Sequence, residues 1–148
     1  MNQRVFILVL ILTWTAGCGG GGSSPTSPST PALNLTGTFS GSASDSSGPG
    51  QLTWRLTQTG TSVAGSVSLV ALPSGITGTG SVAGTLTGTT LTFTMTIPRG
   101  GIPARPTCSV SAEGRATGVT KDTIPGTYSG SNSCSGAFTG GEFTLRRQ

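Results

Sequence analysis

Residues 90–97 read Thr-Leu-Thr-Phe-Thr-Met-Thr-Ile, a run in which apolar and hydroxyl side chains alternate without a break. Successive side chains of a β-strand point to opposite faces of its sheet, so this run predicts a strand with a buried apolar face and a wet threonine face. The same period of two appears in residues 52–57 and 63–71, and no segment of the sequence shows a convincing helical stripe. The sequence therefore predicts an all-β protein.

Turn-forming residues divide the chain after residue 33 into a single antiparallel meander of about eight strands. The strands are expected near residues 34–43, 51–58, 62–71, 80–87, 90–97, 108–118, 124–131 and 137–146. Such a meander forms either a closed barrel or a β-sandwich. We favour the barrel, because closure leaves no strand edge exposed. The predicted architecture resembles that of lipocalin- and avidin-type barrels, although the chain shows none of the ligand-binding residues of either family.

The predicted connections differ in length in a regular way. Connections one, three, five and seven are expected to be long, and in a meander they lie at the same end: residues 44–50, 72–79, 98–107 and 131–136. With an even number of strands, both termini lie at the other end. Because barrel mouths are common ligand sites, the long-loop end is the predicted location of any site.

The first 17 residues have the three parts of a bacterial export signal. A positive charge at Arg4 is followed by an apolar run over residues 5–12 and by small residues over 15–17. The apolar run is far shorter than the roughly 20 residues that a permanent membrane span needs. Residues 1–17 are therefore predicted to be a signal peptide.

The stretch Thr15-Ala16-Gly17-Cys18 resembles the lipobox of bacterial lipoproteins. The resemblance implies that the leader is cut before Cys18, that the Cys18 sulfur carries a diacylglycerol and that its new amine is acylated. It also implies an outer-membrane location, because Gly19 rather than aspartate follows the cysteine. The alternative is an ordinary signal peptide with a chance cysteine. The predicted division is a signal peptide (1–17), a lipidated cysteine with a Gly/Ser/Pro tether (18–32) and the barrel domain (33–148).

Once Cys18 is assigned to lipid, Cys108 and Cys134 remain as a pair in an oxidising compartment and are predicted to form a disulfide. Their midpoint is Lys121, inside a predicted turn, so the two cysteines face each other in an unslipped hairpin. That register also sets Gly114 opposite Tyr128, where the ring is expected to cover the glycine. Closing a loop of this length contributes about 3–4 kcal/mol in the chain-entropy model.

Four residues are candidates for ligand binding. Trp54 and Tyr128 either line a cavity or simply fill a small barrel, whose interior at eight strands is just wide enough for side chains. Arg99 and Arg105 belong to the long connection 98–107. They either contact an anionic group or a partner, or keep a solvated loop soluble.

Several kinds of chemistry have no support in the sequence. The chain contains no histidine, and its four carboxylates are scattered over different predicted elements. No zinc or calcium spacing occurs, so we predict no catalytic residue, no metal and no cofactor. The net charge of +4 comes from 8 basic and 4 acidic residues without a basic cluster, which disfavours a nucleic-acid partner.

The sequence thus predicts a non-enzymatic lipoprotein of the cell envelope, anchored by its lipid to a membrane, with the outer membrane favoured. Its barrel would bind a small apolar molecule, a glycan or a protein at the long-loop end. A second interpretation is a structural or envelope-assembly lipoprotein with a packed barrel and no ligand. A third is an integral outer-membrane barrel, but its outward face would be apolar with aromatic girdles, whereas the wet face here is mostly threonine and serine.

Overall fold

The computed structural model describes residues 33–148, so the predicted leader, Cys18 and the tether lie outside the described residues. Residues 33–148 form eight antiparallel strands in chain order, and β8 pairs with β1 to close a barrel. This confirms the predicted meander and its closure, and it excludes the sandwich. No helix in this part of the chain is long and apolar enough to cross a membrane. The strands are β1 Gly37–Asp45, β2 Gly48–Thr59, β3 Ser62–Ala71, β4 Ile76–Thr87, β5 Thr90–Ile97, β6 Val110–Thr117, β7 Thr123–Asn132 and β8 Gly136–Arg147.

The alternating pattern of β5 is realised residue by residue. Its four apolar side chains are buried inside the barrel, and the threonines at positions 92, 94 and 96 are exposed outside. The same alternation on the other strands builds one continuous apolar core. The hydroxyl-rich outer face is therefore a direct consequence of the period of two.

The barrel has two different ends. The end that we call the closed end carries the turns 60–61, 88–89 and 118–122, and the loop end carries the connections 46–47, 72–75, 98–109 and 133–135. Of the four connections expected to be long, only 98–109 is long, since 72–75 and 133–135 are shorter than the closed-end turn 118–122. The expected long connection over 44–50 is also wrong, because β1 and β2 are joined by a two-residue turn. The Ser47 N–H donates to Asp45 Oδ1 at 2.7 Å, and Gly48 has a positive φ of 125°, which lets β2 begin at once.

Residues 33–36 lie at the closed end, where Leu35 is fully buried in the core. The Leu35 N–H donates to Gln58 Oε1 at 2.8 Å, and Gln58 Nε2 donates to the Leu33 carbonyl at 3.0 Å. The Arg147 guanidinium donates to the carbonyls of Thr36 and Asn34 at 2.7 and 3.0 Å. The segment before β1 is thus tied across the end of the barrel by side chains of β2 and β8.

The predicted disulfide is present, with 5.5 Å between the Cα atoms of Cys108 and Cys134. The hairpin of β6 and β7 is unslipped, and Gly114 pairs with Tyr128 as predicted. The expectation that the Tyr128 ring covers Gly114 is wrong. Phe93, which pairs with Gly114 from β5, occupies that space, and the Tyr128 ring lies instead against Gly141 on β8.

Inward glycines make room for rings in this half of the barrel. Each of four interior aromatic side chains lies against a glycine that is its directly paired neighbour on the next strand. Because a glycine has no side chain, each ring can occupy the space that a side chain on its neighbour would fill. The pairs are Phe93 with Gly114, Phe143 with Gly126, Tyr128 with Gly141 and Phe138 with Gly130.

Candidate functional site

A cavity of about 390 Å³ lies inside the barrel at the loop end. This volume falls within the range of about 300–1,000 Å³ that is typical of small-molecule sites. Its wall is formed by inward side chains of several strands, and its rim by residues of the turns at 46–47 and 72–75 and of the connection 133–135. Five aromatic side chains dominate the lining, namely Trp54, Phe93, Tyr128, Phe138 and Phe143.

The aromatic rings form one connected cluster. Phe143 lies at the centre, with ring centroids 5.2 Å from Trp54 and 5.6 Å from Phe93, and the Trp54 and Phe93 centroids are 4.9 Å apart. Tyr128 joins Phe143 to Phe138, at centroid distances of 6.1 and 6.0 Å. Tilted and edge-to-face contacts at these distances add to the stabilisation from burial and hold the rings in fixed orientations. The cavity therefore has rigid, apolar walls.

The indole nitrogen of Trp54 is an unusual polar group in this wall. Trp54 is fully buried, and within residues 33–148 no acceptor lies within hydrogen-bonding distance of its Nε1. Buried indole N–H groups normally have a partner, and leaving such a donor unpaired costs about 1–3 kcal/mol. Because this nitrogen is itself fully buried, it is an unpaired interior donor and not a group that the cavity exposes.

Asp45 and Tyr128 form a hydrogen-bonded pair in the cavity lining. The Tyr128 hydroxyl donates to Asp45 Oδ2 at 2.8 Å, and the second oxygen of the carboxylate accepts from Ser47 N–H at 2.7 Å. Burial raises the pKa of Tyr128 well above its usual 10.0, and the hydrogen bond to Asp45 and the negative charge of Asp45 raise it further. The phenol therefore stays protonated and keeps donating to the carboxylate at neutral pH.

The four predicted binding residues separate into two groups. Trp54 and Tyr128 line the same cavity, whereas Arg99 and Arg105 are exposed and do not line it. Their loop is fixed to the barrel at another point, because Ile102 is buried and the Thr79 N–H donates to the Gly101 carbonyl at 2.8 Å. The arginines consequently face solvent.

Sequence reasoning named only Trp54 and Tyr128 of the lining residues, and those that it missed include Asp45 and the two β8 phenylalanines, Phe138 and Phe143. The two phenylalanines are five positions apart, so strict alternation cannot place both inside. The register between β7 and β8 shifts between Tyr128 and Gly130, and this irregularity brings both rings inward. The visible signal was the Gly140-Gly141 pair inside a strand pattern, since glycine in a strand often marks a bulge.

A second, larger depression of about 880 Å³ lies on the outer face of β4 to β8. Glu113, Arg115 and Glu142 line it together with threonines and glycines, and both glutamates are exposed. It is open to solvent and offers less burial to a small molecule than the interior cavity. The cavity is therefore the stronger candidate for a binding site.

No family model and no curated protein matches this chain. Two solved β-barrels are similar in structure. One is a redesigned β-barrel, mFAP1, bound to DFHBI, with a TM-score of 0.52 and 21% sequence identity over 76% of this chain and 94% of that one. The other is EF1p2_mFAP2b bound to DFHBI, with a TM-score of 0.58 and 19% identity over 77% of this chain and 94% of that one. At these identities the likeness shows the shared barrel fold.

Proposed function

We propose that this protein is an exported, lipid-anchored binding protein that holds a small, largely apolar molecule in the loop-end cavity. The observation that carries the proposal is the cavity of about 390 Å³ lined by five aromatic side chains. An eight-stranded barrel of this kind is just wide enough to be filled by its own side chains or to hold one small ligand.

The chemistry of the wall supports binding of an aromatic or aliphatic body with a polar group. The aromatic cluster supplies apolar area, and the Asp45 carboxylate supplies a polar group at one side of the cavity. Pockets for small molecules typically combine such walls with a few placed polar groups. We propose that the protein acts by binding alone, since Asp45 is the only charged side chain lining the cavity in the described part of the chain.

The position of residues 33–36 in the barrel supports the proposed anchor. The chain enters the domain at the closed end, where residues 33–36 are held by Gln58 and Arg147, and the cavity lies at the opposite end. A lipid on Cys18 and the tether 18–32 would therefore attach the barrel by its closed end. In that arrangement the cavity points away from the membrane, where a ligand can reach it.

Intrinsic fluorescence tests the binding function directly. Trp14 lies in the predicted leader, so the mature protein would keep Trp54, in the cavity wall, as its only tryptophan, and Trp14→Phe removes the second emitter from any uncleaved chain. We would titrate the protein recovered from this variant with DFHBI, the molecule held by the two similar barrels, and with a panel of small apolar compounds. The expected result is a saturable change in emission.

Two alanine-to-phenylalanine changes provide matched controls. Ala71→Phe adds a ring to the cavity lining and is expected to abolish the saturable change, whereas Ala83→Phe adds the same ring on the outer face. If no compound saturates, the barrel is a packed structural element, which is the second interpretation from the sequence. If only Ala83→Phe blocks binding, the ligand occupies the outer depression and the proposed cavity site is wrong.

Mass spectrometry tests the proposed anchor separately. The chain would be recovered from the membrane fraction of a bacterial host, and its amino terminus measured. We expect the chain to begin at Cys18 with a thioether-linked diacylglycerol and an acylated amine, and the Cys18→Ala variant to leave the membrane fraction. A free thiol at Cys18, or a leader still attached, would refute the anchor without bearing on the cavity.

A further inference from the structure

We propose that the loop-end cavity selects ligands that carry an ammonium group, with the Asp45 carboxylate as the counter-ion and the aromatic cluster holding the apolar body. The inference rests on the proposed binding function and names the class of ligand. It is independent of the lipid anchor.

The carboxylate of Asp45 is fixed in place and has free accepting capacity. Oδ2 accepts the Tyr128 hydroxyl and Oδ1 accepts the Ser47 N–H, at 2.8 and 2.7 Å. A carboxylate offers about four lone-pair sites, so each oxygen can accept one more donor. Because the two internal hydrogen bonds fix the carboxylate, a ligand ammonium would not have to order it.

The charge at this site is not neutralised by the protein. Within residues 33–148 the ion pairs join Asp122 to Lys121 and Arg147, and none involves Asp45. No lysine or arginine in the described part of the chain lines the cavity. A negative carboxylate in the wall of an apolar pocket attracts a cation and repels an anionic ligand, and partial burial strengthens both effects.

The surrounding rings favour the same ligand charge. Tyr128 donates to Asp45, and its ring contacts Phe138 and Phe143, so the carboxylate lies at the edge of the aromatic cluster. The negative face of an aromatic ring attracts ammonium groups within about 6 Å of its centroid. A ligand with an aromatic body and a short aminoalkyl arm can therefore place its ring among the apolar walls and its charge between Asp45 and the rings.

Three ligands that share one body and differ in charge test the inference on the protein recovered from the Trp14→Phe variant. Phenylbutylamine, phenylbutanol and phenylbutyrate have the same body and arm, and they end in an ammonium, a hydroxyl and a carboxylate. Titration followed by Trp54 emission should give a dissociation constant about tenfold lower for the amine than for the alcohol, because charge-assisted hydrogen bonds are roughly twice as strong as neutral ones. Phenylbutyrate, which carries the same sign of charge as Asp45, should bind most weakly.

Two matched aspartate variants test whether Asp45 causes the preference for the amine. Asp45→Asn should bring the amine and the alcohol to equal affinity, whereas Asp122→Asn, the same charge change at the closed end, should leave the preference intact. Tyr128→Phe removes the internal donor but keeps the carboxylate, so the amine should remain preferred. The comparison of three ligands on the parent protein decides the question even if a variant fails to fold.

The outcomes separate this inference from the function on which it rests. If none of the three ligands changes the emission, and no compound of the wider panel does, both proposals fall. If phenylbutanol or phenylbutyrate binds as tightly as phenylbutylamine, the cavity binds ligands but Asp45 does not select them. The same conclusion follows if the Asp45→Asn variant still prefers the amine to the alcohol.

Discussion

Phe143 and Gly126 face each other across β8 and β7, and a Cβ atom on Gly126 would lie 2.6 Å from Cζ of the phenylalanine ring. The same ring is 5.2 Å from Trp54 and lines the cavity. The glycine therefore does more than permit a bend in the strand. Because Gly126 has no side chain, the Phe143 ring can occupy its present position in the cavity wall.

Gly126→Ala is expected to destabilise the barrel by about 1–3 kcal/mol, because the added methyl would collide with the Phe143 ring and the Arg115 carbonyl oxygen. It should also displace the Phe143 ring and weaken any ligand bound in the cavity. Urea denaturation followed by circular dichroism measures the first effect, and Trp54 emission measures the second.

A change on the same strand provides the control for this prediction. Ser129 is exposed on the outer face of β7, so Ser129→Ala should alter the free energy of unfolding by less than about 0.5 kcal/mol. The double variant Gly126→Ala and Phe143→Leu should lose about 1 kcal/mol less in the free energy of unfolding than the sum of the losses in the two single variants. Simple additivity would show that the ring and the methyl do not collide.

Removing the disulfide should lower stability without changing the fold. The bond joins the connection before β6 to the connection after β7, with a sequence separation of 26 residues. The double variant Cys108→Ala and Cys134→Ala is expected to lose about 2–4 kcal/mol in the free energy of unfolding. Urea midpoints of the variant, the oxidised protein and the reduced protein measure this. Equal midpoints for the variant and the oxidised protein would contradict the prediction.

Local patterning accounts for most of what the sequence predicted about the fold. Alternation such as that of Phe93 and its threonine neighbours specifies which face is buried, and turn residues separate the strands, so strand number, order and the Cys108–Cys134 pairing all follow. The cysteine pair also predicted the register of the β6–β7 hairpin. In a hairpin without a bulge, all paired residues share one midpoint in the sequence, so one known pair gives the others.

The candidate site was only half predictable, and the reason is physical. Trp54 and Tyr128 are large inward residues on regular strands, so alternation alone identifies them. Phe138 is brought inward by the irregularity between β7 and β8, and Asp45 reaches the cavity because its turn has only two residues. Both depend on backbone geometry at one or two positions, which a period of two does not encode.

Arg147 is expected to stabilise the closed end in a way that lysine cannot replace. Its guanidinium donates to the carbonyls of Thr36, Asn34 and Lys121 at 2.7, 3.0 and 2.6 Å, and it lies 4.5 Å above the Phe39 ring. A lysine ammonium lacks the planar fork that makes these bonds together, so Arg147→Lys should cost about 1–2 kcal/mol.

The neighbouring arginine offers the matched control for this prediction. Arg146 is exposed on the same strand, and Arg146→Lys should change stability by less than about 0.5 kcal/mol. Hydrogen exchange should also show faster exchange at the Leu35 amide in Arg147→Lys, because residues 33–36 lose part of their attachment. Equal unfolding free energies for the two lysine variants would refute a specific role for Arg147.

Tyr128 is the only tyrosine, so its ionisation can be followed by ultraviolet absorbance without interference from another phenol. Burial, the hydrogen bond to Asp45 and the charge of Asp45 raise its pKa, so the native protein should show no phenolate at pH values where the urea-unfolded chain titrates near 10.0. The folded state then binds more protons than the unfolded state above that pH. By linkage, the free energy of unfolding should fall as the pH rises from about 10 upward. Tyr128→Phe should remove this part of the pH dependence, and Asp45→Asn should reduce it while leaving the contribution of burial. A native phenolate signal with the midpoint of the unfolded chain would show that Tyr128 is not held against Asp45 inside the cavity.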